Sequence, residues 1–181
     1  MSALPPIASK LVELRSVFDR ARALSFPSDA IDLTENLLAV RVSGDGYAIR
    51  VAEISGLVTG KKIVPIPSST VELLGVAGIR GALVPVYSLA MLLGYSAETE
   101  QARWLALCGT EDPVALAFAE FEGYIRVAPS EIHSPGQDCA ARISVKQVVR
   151  GTDMVRGVVS IAVLKGAIQR RGSNNSNPKE R

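Results

Sequence analysis

Few residues of this chain are of a type that could carry out catalysis. The sequence holds a single histidine, His133, and two cysteines, Cys108 and Cys139. These residues are too few for a structural zinc site, and neither cysteine lies in a recognisable nucleophile motif. The sequence also lacks a GxxxxGKS or GxxxxGKT phosphate loop. We therefore expect no enzyme activity, no metal and no cofactor. The remote alternative is an unrelated barrel enzyme, with Cys139 and His133 as nucleophile and base, or a ligand-binding protein.

Two charged residues stand out because of their surroundings. Glu53 lies in the segment VAEISG, and Arg80 lies in GIRG between apolar residues and glycine. Both could be ordinary solvent-exposed residues at a strand end and a turn. An arginine can also hold a carboxylate of its own chain while it presents its remaining N–H donors to a partner. The residues alone leave both interpretations open.

Composition limits the classes of protein to which the chain can belong. With 48% hydrophobic and 21% charged residues, the 181-residue chain is expected to fold. Residues 1–164 carry a net charge near zero, and residues 165–181 carry +4. The near-neutral net charge of residues 1–164 argues against a nucleic-acid-binding surface, which would need a basic patch. No apolar run is long enough to span a bilayer, and the N-terminus does not resemble a secretory signal. We therefore expect a cytoplasmic protein without direct membrane insertion.

Short strands separated by glycine and proline turns dominate residues 36–168. A hairpin is predicted around residues 43–46, and a glycine turn is predicted at residues 78–81. A short helix is predicted after Ser88, whose hydroxyl can cap it. The pattern indicates barrels, because closing a sheet removes its exposed edges. Two lobes are expected, at about residues 36–94 and 103–168. Each ends in a strand followed by a short helix, VPVYSLAMLL and VSIAVLKGAI.

The two ends of the chain differ from its body. Residues 7–25 have the apolar periodicity of an amphipathic helix, so residues 1–35 are expected to form a helical extension and linker. That helix could dock on the body or recruit a partner, and both interpretations stay open. Residues 169–181 are basic and offer little to bury, so we expect a disordered tail.

The ordered set of motifs resembles the CheW family of chemotaxis coupling proteins. It comprises YAIRVAEISGL, the strand end VPIP, the GIRG turn and the helix entry PVYSL. The resemblance implies an all-β fold of two SH3-like five-stranded β-barrel lobes with short closing helices. It implies a non-catalytic, cytoplasmic adaptor that couples chemoreceptors to a CheA-type histidine kinase. The implied partners are the regulatory domain of that kinase and the cytoplasmic tip of a methyl-accepting chemoreceptor. A CheW-like scaffold in a related surface-motility or second-messenger pathway is the alternative.

The resemblance also assigns four residues to a receptor-binding groove between the lobes: Val51, Glu53, Gly75 and Arg80. Two positions depart from the family pattern. Ser88 replaces the usual acid before the first closing helix, although serine can cap a helix equally well. At the corresponding position of the second lobe stands Val163, which cannot cap, so the second helix is expected to begin differently.

Overall fold

The computed structural model describes residues 34–96, 102–134, 144–150 and 155–173. Within these residues the chain forms two six-stranded sheets. In spatial order, sheet I consists of β10 (Ile132–His133), β11 (Val145–Arg150), β12 (Val155–Val159), β2 (Asp45–Arg50), β1 (Glu35–Val42) and β9 (Glu120–Val127). In the matching order, sheet II consists of β4 (Ile63–Val64), β5 (Leu73–Ile79), β6 (Ala82–Ser88), β8 (Val114–Phe118), β7 (Trp104–Cys108) and β3 (Gly56–Thr59). The predicted N-terminal helix lies outside the described residues.

The described residues also form four helical segments. They are the 3-10 helices η1 (Val51–Glu53) and η2 (Pro129–Glu131) and the α-helices α1 (Leu89–Leu92) and α2 (Ile161–Ser173). Ser88 caps α1 as predicted, because its hydroxyl accepts a hydrogen bond from the Met91 N–H at 3.3 Å. No helix among these residues is both long enough and apolar enough to cross a membrane.

The two sheets are built on one plan. Adding six to each strand number of sheet II, and continuing from β12 to β1, gives the strand order of sheet I. Strands β1–β6 form the first half of the chain, and strands β7–β12 form the second half. Sheet I combines β9–β12 of the second half with the hairpin β1–β2 of the first half. Sheet II combines β3–β6 of the first half with the hairpin β7–β8 of the second half. The hairpin from the other half pairs in parallel with the third strand of each sheet. In sheet I, β2 pairs with β12, and in sheet II, β8 pairs with β6. The halves nearly coincide with the predicted lobes, 36–94 and 103–168, but the sheets do not divide the chain at that boundary.

The expectation of five-stranded barrels needs correction. Each sheet has six strands, and no ladder joins its two edge strands within the described residues. The edge strands β4 and β10 are each two residues long, too short to pair with two neighbours over a useful length. Both sheets are nevertheless curled, since their edge strands pack on a common apolar cluster, through Val58 and Ile63 in sheet II and through Ile125 and Ile132 in sheet I.

The buried residues that the structure describes form three apolar clusters. One lies within the curl of each sheet, and the largest lies between the sheets and receives α1 and the first turn of α2. In β7, for example, Leu105 and Leu107 face the curl of sheet II, while Ala106 and Cys108 face the cluster between the sheets. Strands buried on both faces are apolar at every position. This explains the continuous runs WLALC and VALAF.

The C-terminal helix differs from its prediction at both ends. Within VSIAVLKGAI the sequence predicts a strand over residues 158–163 and a helix over residues 164–168. In the structure the strand ends at Val159, and α2 begins at Ile161. The helix then continues to Ser173, so the disordered tail predicted for residues 169–181 begins too early. Among the helix residues up to position 170, whose side chains the structure describes, only Ile161 and Leu164 are buried in the core. The basic residue Arg170 lies near the helix C-terminus, where a positive charge interacts favourably with the helix dipole.

Candidate partner-binding site

Arg80 lies at the tip of the β5–β6 hairpin in a conformation unusual for arginine. Ile79 pairs with Ala82, so Arg80 and Gly81 form a two-residue turn. Their φ angles of 50° and 82° are both positive, as a type I′ turn requires. Glycine adopts this region freely, whereas a side chain there costs roughly 1–2 kcal/mol. Residues held in such strain often serve function.

The guanidinium of Arg80 reaches the first residue of β3. Its Nη2 lies 3.2 Å from the point that a Cβ of Gly56 would occupy. The arginine therefore covers a residue that has no side chain. Arg80 is exposed, and it forms no ion pair or side-chain hydrogen bond with any other described residue.

Val51 and Glu53 lie where the chain crosses from sheet I to sheet II. The 3-10 helix η1 links β2 of the first sheet to β3 of the second. Val51 is half-buried against the cluster between the sheets. The Ser55 N–H donates to the Leu107 carbonyl at 2.7 Å, and this bond anchors the end of the crossing segment to β7.

The sequence left open an ion pair between Glu53 and Arg80, but the structure shows none. One carboxylate oxygen, Oε2, accepts a hydrogen bond from the Ile161 backbone N–H at 2.8 Å. The other, Oε1, lies 3.6 Å from Nη1 of Arg50. Arg50 in turn donates from Nε to Glu35 at 2.7 Å and from Nη2 to Gln147. Glu53 is thus an internal link between η1 and the start of α2.

Gly75 has a structural function in β5. Its φ is +141°, and a Cβ there would lie 2.1 Å from the Val64 carbonyl oxygen. Only glycine permits β4 to approach this closely. Gly75 is buried and lies five residues from Arg80 along the hairpin, about 16 Å at the usual strand rise. Of the four predicted site residues, Val51 and Glu53 therefore share η1, and Arg80 covers the start of the following strand, but Gly75 lies apart.

Of the cysteines and the histidine considered for catalysis, Cys108 and His133 lie in the described part of the chain. Burial raises the pKa of the Cys108 thiol to about 12, although Lys165 nearby acts to lower it. Cys108 is therefore a protonated thiol at neutral pH and a poor nucleophile. His133 is exposed on β10, and no group of metal-binding side chains occurs among the described residues. Cys139 lies outside them.

The site also contains a repeat that the sequence analysis missed. The pattern AxxxAExxG occurs at residues 48–56, as AIRVAEISG, and again at residues 115–123, as ALAFAEFEG. The pairing places the two copies equivalently. Ala48 and Gly123 flank Ala39 in sheet I, whereas Ala115 and Gly56 flank Leu107 in sheet II. A comparison of the two halves at a shift of 67 residues would have found it.

The side chains in the second copy of the repeat make different contacts from those in the first copy. Glu120, the counterpart of Glu53, is 54% exposed and lies 3.6 Å from Arg41. Glu122 binds Arg41 at 2.5 Å and also pairs with Arg156 of β12. No side chain covers Gly123 among the described residues. Trp104, Phe121 and Tyr124 form a row of edge-to-face aromatic contacts beside it.

The comparisons with known proteins agree with the interlocked two-sheet fold. The family model for the CheW-like domain matches residues 36–164. The chain belongs to the CheW-like domain family. The match includes all four predicted site residues and both copies of the repeat. This CheW-like domain therefore has a fold used for chemotaxis coupling, as the resemblance predicted.

One solved structure supports the same fold. The crystal structure of the scaffolding protein TtCheW from Thermoanaerobacter tengcongensis is similar to this CheW-like domain with a TM-score of 0.65. The sequences are 14% identical, and the match covers 72% of this chain and 91% of that one. No curated protein matches the chain. At this identity the likeness to TtCheW concerns the fold.

Proposed function

We propose that this CheW-like domain is a cytoplasmic, non-catalytic adaptor that couples chemoreceptors to a CheA-type histidine kinase. Arg80 would contact the receptor tip. Val51, Glu53 and Gly75 would keep the surrounding backbone in place. The observation that carries the proposal is the exposed guanidinium at the tip of a strained turn, without a partner in the described part of the chain. An arginine fork suits a carboxylate-bearing partner.

An adaptor needs a second surface for its second partner, and the same sheet offers one. Val64, Val76 and Pro85 lie in one cross-strand row on the outer face of β4, β5 and β6. Leu83 lies on the same face and is 76% exposed, and Val64 is 49% exposed. Adjacent exposed apolar side chains mark interaction surfaces. We assign the kinase regulatory domain to this outer face of β4–β6.

The test is simultaneous binding. The purified chain should form a ternary complex with a receptor signalling-tip fragment and a kinase regulatory domain, as followed by size-exclusion chromatography with light scattering. Leu83→Asp should remove the kinase domain and leave the receptor fragment bound, because Leu83 is exposed and its replacement costs little stability. A matched control is Val71→Asp, which is also exposed but does not lie on β4, β5 or β6. Binding to neither partner would disprove the proposal.

A further inference from the structure

The crossing segment of residues 51–56 is held by both sheets. On its first side, Glu53 accepts the Ile161 N–H of α2, which follows β12 of sheet I. On its second side, Ser55 is bonded to Leu107 of sheet II, and Gly56 lies beneath Arg80. The segment therefore connects the first turn of α2 with the residue beneath the exposed arginine.

Glu53 performs the task of a helix cap from a distant point in the sequence. The first N–H groups of a helix have no acceptor within the helix. At the start of α2 the Ile161 N–H is buried with its residue, which is 4% exposed. The residue before α2 is Ser160, as Ser88 is before α1, so Val163 lies inside the helix and is not the capping position that the sequence had suggested. The Glu53 carboxylate accepts the hydrogen bond of the Ile161 N–H at 2.8 Å. A carboxylate there also interacts favourably with the helix dipole.

The α2 helix is bound to sheet II at a second point. Lys165, one turn further along, donates from Nζ to the Asp112 carbonyl at 3.2 Å, in the β7–β8 turn. Its ammonium also lies close to Gly109, 2.6 Å from the point that a Cβ would occupy. The beginning of α2 therefore contacts the crossing segment through Ile161 and the β7–β8 turn through Lys165.

We propose that Glu53 is a positioning residue that couples the first turn of α2 to the Arg80 turn. Both carboxylate oxygens are already engaged, one by Ile161 and one by Arg50. A partner that bound Glu53 directly would have to share the carboxylate, whose side chain is 27% exposed, with these internal contacts. Glu53 therefore acts by fixing Gly56 beneath Arg80. The effect on partner binding rests on the proposed function. A partner that docks on Arg80 should stabilise the first turn of α2, and a stable first turn of α2 should strengthen the binding of that partner by the same free energy.

The first experiment needs no partner. Glu53→Ala should speed amide hydrogen exchange at Ile161 and Leu164 by about tenfold or more, because a charge-assisted hydrogen bond is lost. Glu53→Gln keeps an acceptor and should have a smaller effect. Glu53→Ala should also shift the NMR resonances of Gly56 and Gly81, at the Arg80 turn. The matched control is Glu120→Ala, the repeat counterpart, which should leave these amides unchanged. Unchanged exchange in α2, or unmoved Gly56 and Gly81 resonances, would overturn the coupling.

The second experiment adds a receptor signalling-tip fragment. In the wild type, the bound fragment should slow exchange at Ile161. Glu53→Ala should weaken binding less than Arg80→Ala does, and the fragment should no longer slow exchange in α2. Equal losses in the two variants, with α2 exchange unaltered, would make Glu53 a direct contact and overturn the inference. If the wild type does not bind the fragment, the proposed function fails, and the partner-free experiment still decides whether Glu53 couples α2 to the turn.

Discussion

The carboxylate of Glu53 accepts a hydrogen bond from the backbone N–H of Ile161, 108 positions later in the chain. The acid lies where the chain crosses between the sheets, and the amide starts the helix that closes the second half. Each half of the chain thereby stabilises an element of the other, as the exchange of hairpins also does. A predicted receptor-groove residue is in this way part of the internal framework.

This contact predicts that exchanging the charges of Glu53 and Arg80 does not restore function. Each single variant, Glu53→Arg and Arg80→Glu, should impair receptor binding for a different reason. The first disrupts the start of α2, and the second removes the exposed guanidinium. Because Glu53 acts on binding through the Arg80 turn, the double variant should bind no better than Arg80→Glu alone, and its loss of binding free energy in a double-mutant cycle should be smaller than the sum of the two single losses. A double variant that recovers binding would show that the pair forms in the complex.

Gly75 and Gly123 provide a matched test of backbone crowding. Their φ angles are +141° and +145°, but only at Gly75 would a Cβ meet another backbone atom. Gly123→Ala should cost roughly 1–3 kcal/mol of unfolding free energy, from backbone strain alone. Gly75→Ala should cost at least about 4 kcal/mol, because the β4 backbone must also move. Urea unfolding of both variants measures the difference. Equal losses would mean that the approach of Val64 does not constrain the fold.

The ion pairs of Glu122 predict how stability changes in acid. Partial burial acts to raise the pKa of Glu122, but hydrogen bonds from Arg41 and Arg156 outweigh it and lower the pKa. A lowered pKa contributes stability above the unfolded-state value of about 4.3, and this is lost as the pH falls through the folded value. Because the groups are partly exposed, the contribution should be below about 1 kcal/mol.

Glu122→Gln tests this prediction. At pH 7 the variant should be slightly less stable than the wild type, and the difference should shrink as the pH falls through the lowered pKa of Glu122 and the wild-type carboxylate becomes protonated. Glu111→Gln is a suitable control, since Glu111 is exposed and forms no ion pair among the described residues. A difference that stays constant down to pH 2 would mean that the charge of Glu122 is not the cause.

The thiol of Cys108 should not react with thiol reagents while the protein is folded. Its side chain is fully buried, and its pKa of about 12 leaves little thiolate at pH 8. In a Cys139→Ser background, a thiol reagent such as DTNB should react with Cys108 only as fast as the protein opens. Adding denaturant should release the full signal. Rapid labelling without denaturant would show that the cluster between the sheets is accessible.

The strands and the turn residues could be predicted from the sequence, because local patterns encode them. Alternating and continuous apolar runs marked nearly every strand, and Ser88 marked the start of α1. The glycine after Arg80 marked the two-residue turn. The positive φ of Arg80 itself could not be inferred, since arginine is a poor residue for that conformation.

The exchange of hairpins and the contacts of Glu53 could not be predicted in the same way. Both depend on which strands pair across long sequence separations, and periodicity carries no information about that choice. The start of α2 at Ile161 did have a local signal, because Ser160 precedes it as Ser88 precedes α1. The hydrogen bond from the Ile161 N–H to the Glu53 carboxylate had none, because it comes from the other half of the chain. The AxxxAExxG repeat was the one local signal of this arrangement.

The central claim is that Arg80 adopts a strained conformation in order to contact a receptor, and Arg80→Gly tests it most directly. Glycine favours the positive φ of this turn, so the melting temperature should stay the same or rise slightly. Affinity for the receptor signalling-tip fragment, measured by isothermal titration calorimetry, should fall by about 10- to 150-fold, because the charge-assisted hydrogen bonds are lost. Arg126→Ala, which removes an exposed arginine on β9, should leave both quantities unchanged. Unaltered affinity in a stably folded Arg80→Gly variant would contradict the account.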